Sequence, residues 1–286
     1  MGPSGGPYRR RAGYRSTVSM VLVEHPRPQV ALITLNRPER MNSMAFDVMV
    51  PLKAALENIT YDNSVRVVVL TGAGKGFSSG ADHKSAGDVP HVQGLTRPTY
   101  ALRSMAILDD VILALRRLHQ PVIAAVNGAA IGGGLCLALA ADIRVAASGA
   151  YFRAAGINNG LTASELGLSY LLPRAIGSSR AFEIMLTGRD IDAEEAERIG
   201  LVSRQVPEDQ LLETCYEMAE RMAAFSRPGL ELTKRTLWSG LDAASLEGHM
   251  QAEGLGQLLV RLLTTNFEEA VAARADKRPP VFTDDK

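Results

Sequence analysis

Apolar positions recur along the chain in two alternating rhythms. A short run at 30–35 ends at Asn36-Arg37-Pro38 and reads as a strand followed by a turn. Met49, Leu52, Leu56 and Ile59 then fall at helical spacing. Positions 65–71 are rich in β-branched residues and predict a buried strand, closed by the glycines of 72–76. Leu102, Met105, Leu108, Ile112 and Leu115 predict a second helix. A further buried strand is expected over 121–126, a turn over 127–134, an apolar helix over 135–141 and a strand over 143–146. From about 178 onward the pattern turns helical. Asp192 with Glu195 predicts a capping box, and 208–225, 228–238 and 246–263 carry helical periods. Strands alternating with helices imply parallel βαβ units. The expectation is an α/β core over 20–206 followed by a helical region over 207–286.

Composition narrows the classes of function. The chain has 286 residues, 46% of them hydrophobic, enough for a sizeable core. Its 31 basic side chains equal its 31 acidic ones, which argues against a nucleic-acid binder driven by bulk charge. Cys136 and Cys215 have no metal-ligand spacing, so no metal site is expected, and a reducing cytoplasm is the default. Residues 1–19 are rich in glycine and arginine and lack the apolar run of a secretory signal. They read as a flexible tail, with a basic docking arm as the alternative. The longest apolar stretch, 121–141, is broken by Asn127 and four glycines, so no membrane span is expected.

Two glycine-bearing segments stand out. Phe77-Ser78-Ser79-Gly80-Ala81-Asp82 follows a buried strand, and its small residues let a ligand approach the backbone. Ile131-Gly132-Gly133-Gly134 lies between a buried strand and an apolar helix. The first amides of such a helix lack intrahelical partners and sit at the positive end of its dipole. Two such segments brought together would offer a pair of N–H donors to a carbonyl oxygen gaining negative charge. Each segment alone also suits tight helix–strand packing. Neither matches a phosphate-binding loop.

Taken together, these segments resemble the enoyl-CoA hydratase/isomerase (crotonase) family. The matching pieces are Leu35-Asn36-Arg37-Pro38 with Asn42, the segment from Phe77 through Asp82 to His83-Lys84, and Ala125-Val126-Asn127-Gly128 running on to Gly134. Ala141-Asp142-Ile143-Arg144, Leu172-Pro173-Arg174, Leu186-Thr187-Gly188, Gly200-Leu201-Val202 and Lys277-Arg278-Pro279 follow in family order. The resemblance implies a crotonase-like spiral of repeated ββα/βαβ turns, closed by C-terminal helices that assemble trimers or hexamers. It implies an acyl-CoA thioester as substrate, no separate cofactor, and an enolate held by the N–H groups of Ala81 and Gly133. By position, Lys84 falls near the nucleotide of coenzyme A. Lys277 matches a residue that reaches its phosphates from a neighbouring subunit. Both lysines also read as ordinary surface charges.

The chain departs from the hydratase pattern where proton transfer is expected. Hydratases of the family carry two glutamates; here the aligned residues are Cys136 and Gly156. Glu165, in Ser164-Glu165-Leu166-Gly167, resembles an acidic residue of dienoyl-CoA isomerases. It reads either as a catalytic base or as a charge at a helix start. Cys136 reads as a buried thiol or as a weak acid–base group, and Asp82 as a brace for the first turn. The polar stretch 83–100 is expected to cover the acyl chain. Three readings follow: an acyl-CoA enzyme of the hydratase type, a double-bond isomerase using Glu165, or a non-catalytic acyl-CoA binder.

Overall fold

The computed structural model describes residues 19–284; the expected tail at 1–19 lies outside them but for Ser19. The chain opens with strands β1 (Val21–Arg27) and β2 (Val30–Leu35), helix α1 (Phe46–Thr60), strands β3 (Val67–Gly72) and β4 (Gly76–Ser78), and helix α2 (Arg97–Arg117). Strands β5 (Val122–Val126) and β6 (Ala129–Ile131), helix α3 (Gly133–Ala140), and strands β7 (Ile143–Ala147) and β8 (Tyr151–Arg153) follow. Helices α4 (Leu168–Ile176) and α5 (Ser178–Thr187), strand β9 (Asp190–Asp192), helix α6 (Ala193–Arg198) and strand β10 (Arg204–Val206) complete the α/β part. Helices α7 (Leu211–Ala223), α8 (Arg227–Gly240), α9 (Leu246–Leu263) and α10 (Asn266–Ala275) end the chain.

The strands form two sheets in the orders β1-β2-β3-β5-β7-β10 and β4-β6-β8-β9. Successive turns of chain lay one strand in the first sheet and one in the second: β3 then β4, β5 then β6, β7 then β8. This is the spiral the resemblance implies. All strand pairs are parallel except β1 with β2 and β8 with β9.

The near-continuous apolar composition of β2, β3 and β5 has a simple cause, since both faces of the large sheet are covered. Ala31, Ile33, Val68 and Leu70 pack with α1, α2 and α3. Their neighbours Val30, Leu32, Val67 and Val69 pack against Leu211, Cys215, Tyr216 and Ala219 of α7. Burial there pushes the Cys215 thiol up to about 12, consistent with an inert packing role. Asp142 pins α8 onto the core. It accepts from the Val122 N–H at 2.6 Å, Trp238 Nε1 at 2.5 Å and Lys234 Nζ at 2.9 Å.

Several elements differ from the sequence expectation. β1 carries Glu24, His25, Pro26 and Arg27, a polar edge strand that hydropathy does not flag. The strands of the small sheet have three residues each, too short to show a period. One of them, β6, lies inside the expected turn over 127–134. α3 starts at Gly133, so two glycines belong to its first turn. The capping box at α6 is half formed. Asp192 accepts from the Glu195 N–H at 2.7 Å, while the Glu195 carboxylate is taken by Arg189, also at 2.7 Å.

Candidate active site

The two glycine-bearing segments meet. Gly80 has a left-handed φ of 79°, and a methyl group added to it would lie 2.5 Å from the Ile131 carbonyl oxygen and 3.4 Å from the Gly133 nitrogen. At Gly134 an added methyl would fall 2.2 Å from the Ser78 carbonyl oxygen. The turn after β4 and the start of α3 are therefore in backbone contact.

Residues 41–44 hold the first turn from its other side. The Ser79 N–H donates to Met41 O at 2.9 Å, and the Ser78 hydroxyl to Asn42 O at 2.8 Å. Met44 N–H donates to Gly80 O at 2.7 Å and Met44 O accepts from the Asp82 N–H at 3.1 Å. In a parallel bridge of this kind the residue between the two bonded ones, Ala81, directs its N–H away from the pairing segment. Gly133 is the first residue of α3, so its N–H has no intrahelical acceptor. By contrast Gly132 N–H donates to Arg153 O at 2.8 Å and Cys136 N–H to Gly132 O at 3.1 Å. Ala81 and Gly133 are thus candidate donors for a ligand, and Gly134 and Leu135 in the same first turn of α3 likewise lack an intrahelical acceptor.

Asp82 braces this turn. Its carboxylate accepts from the N–H groups of Lys84 and Ser85, each at 2.9 Å, from Arg40 at 2.9 Å and from Ser43 at 3.2 Å. Arg37 Nη1 lies 3.0 Å away but out of line for a hydrogen bond, so that contact is electrostatic. Burial works against the charge, yet the Lys84 and Ser85 amides with Arg40 and Ser43 hold this carboxyl well below the usual carboxylate range. The resulting stability is present above about pH 4 and is lost as the pH falls further. Replacing Asp82 with alanine is expected to destabilise the fold by about 3 kcal/mol, since it strands two guanidinium groups. Urea unfolding measures this, and an unchanged midpoint contradicts the bracing role.

Glu165 reaches the same place from the other side. Its Oε1 lies 3.0 Å from where a methyl on Gly132 would sit. The carboxylate is half-buried and accepts no hydrogen bond among the described residues. Burial raises its pKa above the ordinary value, and the electrostatic effect of His83 lowers it. Leu166 and Gly167, directly after it, both have left-handed φ, 46° and 81°. For a buried leucine this is strained backbone, concentrated beside the carboxylate that reaches Gly132.

The two positions where a hydratase pattern expects glutamates are closed. Cys136 is fully buried, and burial followed by the Glu165 charge pushes its thiol well above its ordinary pKa. Its Sγ donates to Glu165 O at 3.4 Å, a packing contact. A Cβ at Gly156 would lie 1.9 Å from Thr162 O, so no side chain fits there. Lys84 is exposed on the loop after Asp82. Lys277 follows α10, with its N–H on Arg274 O, and no hydrogen bond or ion pair joins it to this site among the described residues. Stretch 83–100 is tied to the start of α1 by the Phe46 N–H donating to Ala86 O at 2.6 Å. An apolar cavity of about 450 Å³ lined by Leu139, Leu171, Leu237 and Trp238 lies at the far end of α3 and contains none of the candidate residues.

Sequence reasoning did not pair His83 with Glu165 and did not single out Met44 or Arg40. Contacts between loops far apart in the chain leave no periodic trace. The one available hint was the position of His83, two residues after Ala81.

Comparisons with known proteins point to one family. A family model described as enoyl-CoA hydratase/isomerase matches residues 27–285. A Mycobacterium bovis protein named as a probable enoyl-CoA hydratase is 87% identical over 274 residues, 96% of each chain. A crystal structure of a probable enoyl-CoA hydratase/isomerase from Mycobacterium abscessus superposes with a TM-score of 0.91 at 72% identity, covering 94% of this chain and 100% of that one. A structure titled a monofunctional enoyl CoA isomerase from M. smegmatis is also 72% identical, with a TM-score of 0.70 over 82% of this chain and 99% of that one.

Proposed function

The chain belongs to the enoyl-CoA hydratase/isomerase family, and from that premise we propose that it moves the double bond of an enoyl-CoA thioester with Glu165 as its single base. The observation that carries this reading is the Glu165 carboxylate, which accepts no hydrogen bond among the described residues and lies beside Gly132, next to the candidate donor Gly133. Hydration needs one group to activate water and another to protonate Cα; migration of a double bond needs one group that takes a proton and returns it.

The steps balance with residues of this chain alone. The thioester oxygen of a 3-enoyl-CoA accepts from Ala81 N–H and Gly133 N–H. Glu165 removes a proton from C2, and the electron pair of that C–H bond spreads into the C1 carbonyl as a dienolate. The two amides stabilise the negative oxygen, an effect typically worth ~3 kcal/mol per donor. Protonated Glu165 returns the proton to C4, which leaves the double bond between C2 and C3. No separate cofactor enters this scheme, because coenzyme A arrives as part of the substrate. Lys84 of the same chain and Lys277 of a neighbouring subunit are the proposed contacts to its phosphates.

Hydratase chemistry is the second reading, favoured by the name of the Mycobacterium bovis relative. Product masses separate the readings. With a 3-enoyl-CoA the expected product has the substrate's mass and gains the absorbance of a conjugated thioester. With crotonyl-CoA, whose double bond is conjugated and open to water addition, a product one water heavier supports hydration, and binding of both substrates without turnover supports the non-catalytic reading.

The titration of Glu165 makes a further prediction. As a base it must be ionised, so activity falls as the pH drops through its raised pKa. Replacing His83 with glutamine removes the opposing charge and is expected to move the acid limb of the kcat/KM profile to higher pH. An unmoved limb shows that His83 does not act on Glu165.

We assign assembly as a homotrimer or hexamer to the helical region 207–286, and α9 supports this. None of its residues is buried, and Leu246, Met250, Leu255, Leu258 and Leu262 are exposed. No helix among the described residues is long and apolar enough to cross a membrane, and a cytoplasmic location is proposed.

A further inference from the structure

Met44 touches both halves of the amide pair. Its backbone grips the first half: the Met44 N–H holds Gly80 O at 2.7 Å, and Met44 O holds the Asp82 N–H at 3.1 Å, on either side of Ala81. Its side chain reaches the second half. The thioether sulfur lies 2.2 Å, and the terminal methyl 3.0 Å, from the point where a Cβ on Gly133 would sit. The space that Gly133 leaves beside its own N–H is therefore filled by Met44. The residue is 7% exposed, so this packing is held inside the core cluster and not at the surface.

We propose that Met44 is a positioning residue that sets the separation of the Ala81 and Gly133 N–H groups. The inference rests on the reading of those amides as the enolate-binding pair. Its physical basis is the steepness of donor geometry: an enolate oxygen must lie within hydrogen-bond reach of both amides at once. A gap left beside Gly133 lets the first turn of α3 relax towards the turn at Gly80, and the pair no longer matches one oxygen. An unbranched side chain suits this place because it fills an irregular space between two loops.

Three variants test the proposal. Met44→Leu keeps the volume; Met44→Val and Met44→Ala remove the reach onto Gly133. If the alanine variant does not fold, the valine variant reads the same quantity, with thermal melting as the check on folding. Met44→Ala is expected to lower kcat by roughly 10–100-fold, since a misplacement of about 1 Å can cost 10²-fold. Its KM should stay within about threefold, because Met44 contributes to the reacting geometry more than to thioester binding. Met44→Leu should stay within about threefold of wild type in both constants.

A spectroscopic readout separates positioning from a merely structural role. Acetoacetyl-CoA ionises to an enolate with its own near-ultraviolet band, and the amide pair should raise the enolate fraction of the bound ligand. That band is expected with wild type and Met44→Leu and diminished with Met44→Val and Met44→Ala, although the ligand still binds. Variants that retain the full band and full kcat overturn the proposal for Met44. A wild-type protein that binds acetoacetyl-CoA without any enolate band overturns instead the reading of the site on which the proposal rests.

Discussion

Glu165→Gln is expected to abolish double-bond migration, lowering kcat by roughly 10²–10⁴-fold, the usual contribution of a positioned acid–base group. Glutamine keeps the shape of the side chain beside Gly132 and accepts no proton. Its amide also loses no partner, since the carboxylate accepts no hydrogen bond among the described residues. Stability should therefore change little or rise slightly, because burial disfavours the charged form of Glu165. Initial rates followed at the conjugated thioester absorbance measure the loss, and thermal melting shows that the fold is kept. Neither position of the hydratase pattern can take over. The Cys136 thiol is held protonated by burial, and Gly156 has no room for a side chain.

Gly80→Ala is the second large effect. Two separate costs fall on this position. Its φ of 79° strains any residue with a Cβ, and the added methyl meets Ile131 O at 2.5 Å. Neither contact partner can yield cheaply, because both are backbone: one belongs to β6 and the other, Gly133 N, is itself a candidate donor. Stability should fall by about 2 kcal/mol or more. Turnover should fall by roughly 10²–10³-fold as the two amides are driven apart. Gly94 provides the control. It has nearly the same φ, 78°, yet nothing lies within 4 Å of an added methyl. Gly94→Ala should therefore show only the backbone cost, about 1 kcal/mol, with full activity. If the two variants lose activity equally, backbone strain and not contact between the turns is the cause.

These predictions depend on features that differ in how legible they were. The buried strands β2, β3 and β5 announced themselves, because a sheet covered on both faces must be apolar throughout. The bounds of α9 could be read directly from its helical period, expected over 246–263 and found over Leu246–Leu263. β1 and the small sheet could not be read that way. One is polar because it lies at an edge, and the others are held by pairing with strands distant in sequence. At the site, the meeting of the two glycine segments was expected from two local patterns that the resemblance joined, and Ala81 and Gly133 are the donors proposed from it. The clamp of Asp82 by Arg40 and Ser43 is invisible in sequence because the partners lie about forty positions apart. The same holds for the approach of Glu165 to Gly132 and of Met44 to Gly133. Their positions are set by how three loops cross, and hydropathy carries no record of such crossings.

The central claim is that Glu165 moves a proton from C2 of a thioester whose oxygen lies between Ala81 and Gly133. It is tested most directly with a 3-enoyl-CoA carrying deuterium at C2, given to wild type and to Glu165→Gln. The account predicts that wild type shifts the double bond into conjugation without adding water, and does so more slowly with deuterium than with hydrogen. It predicts no such shift by the glutamine variant. Equal turnover by the two proteins, or a wild type that hydrates crotonyl-CoA and leaves the 3-enoyl-CoA unchanged, would contradict it.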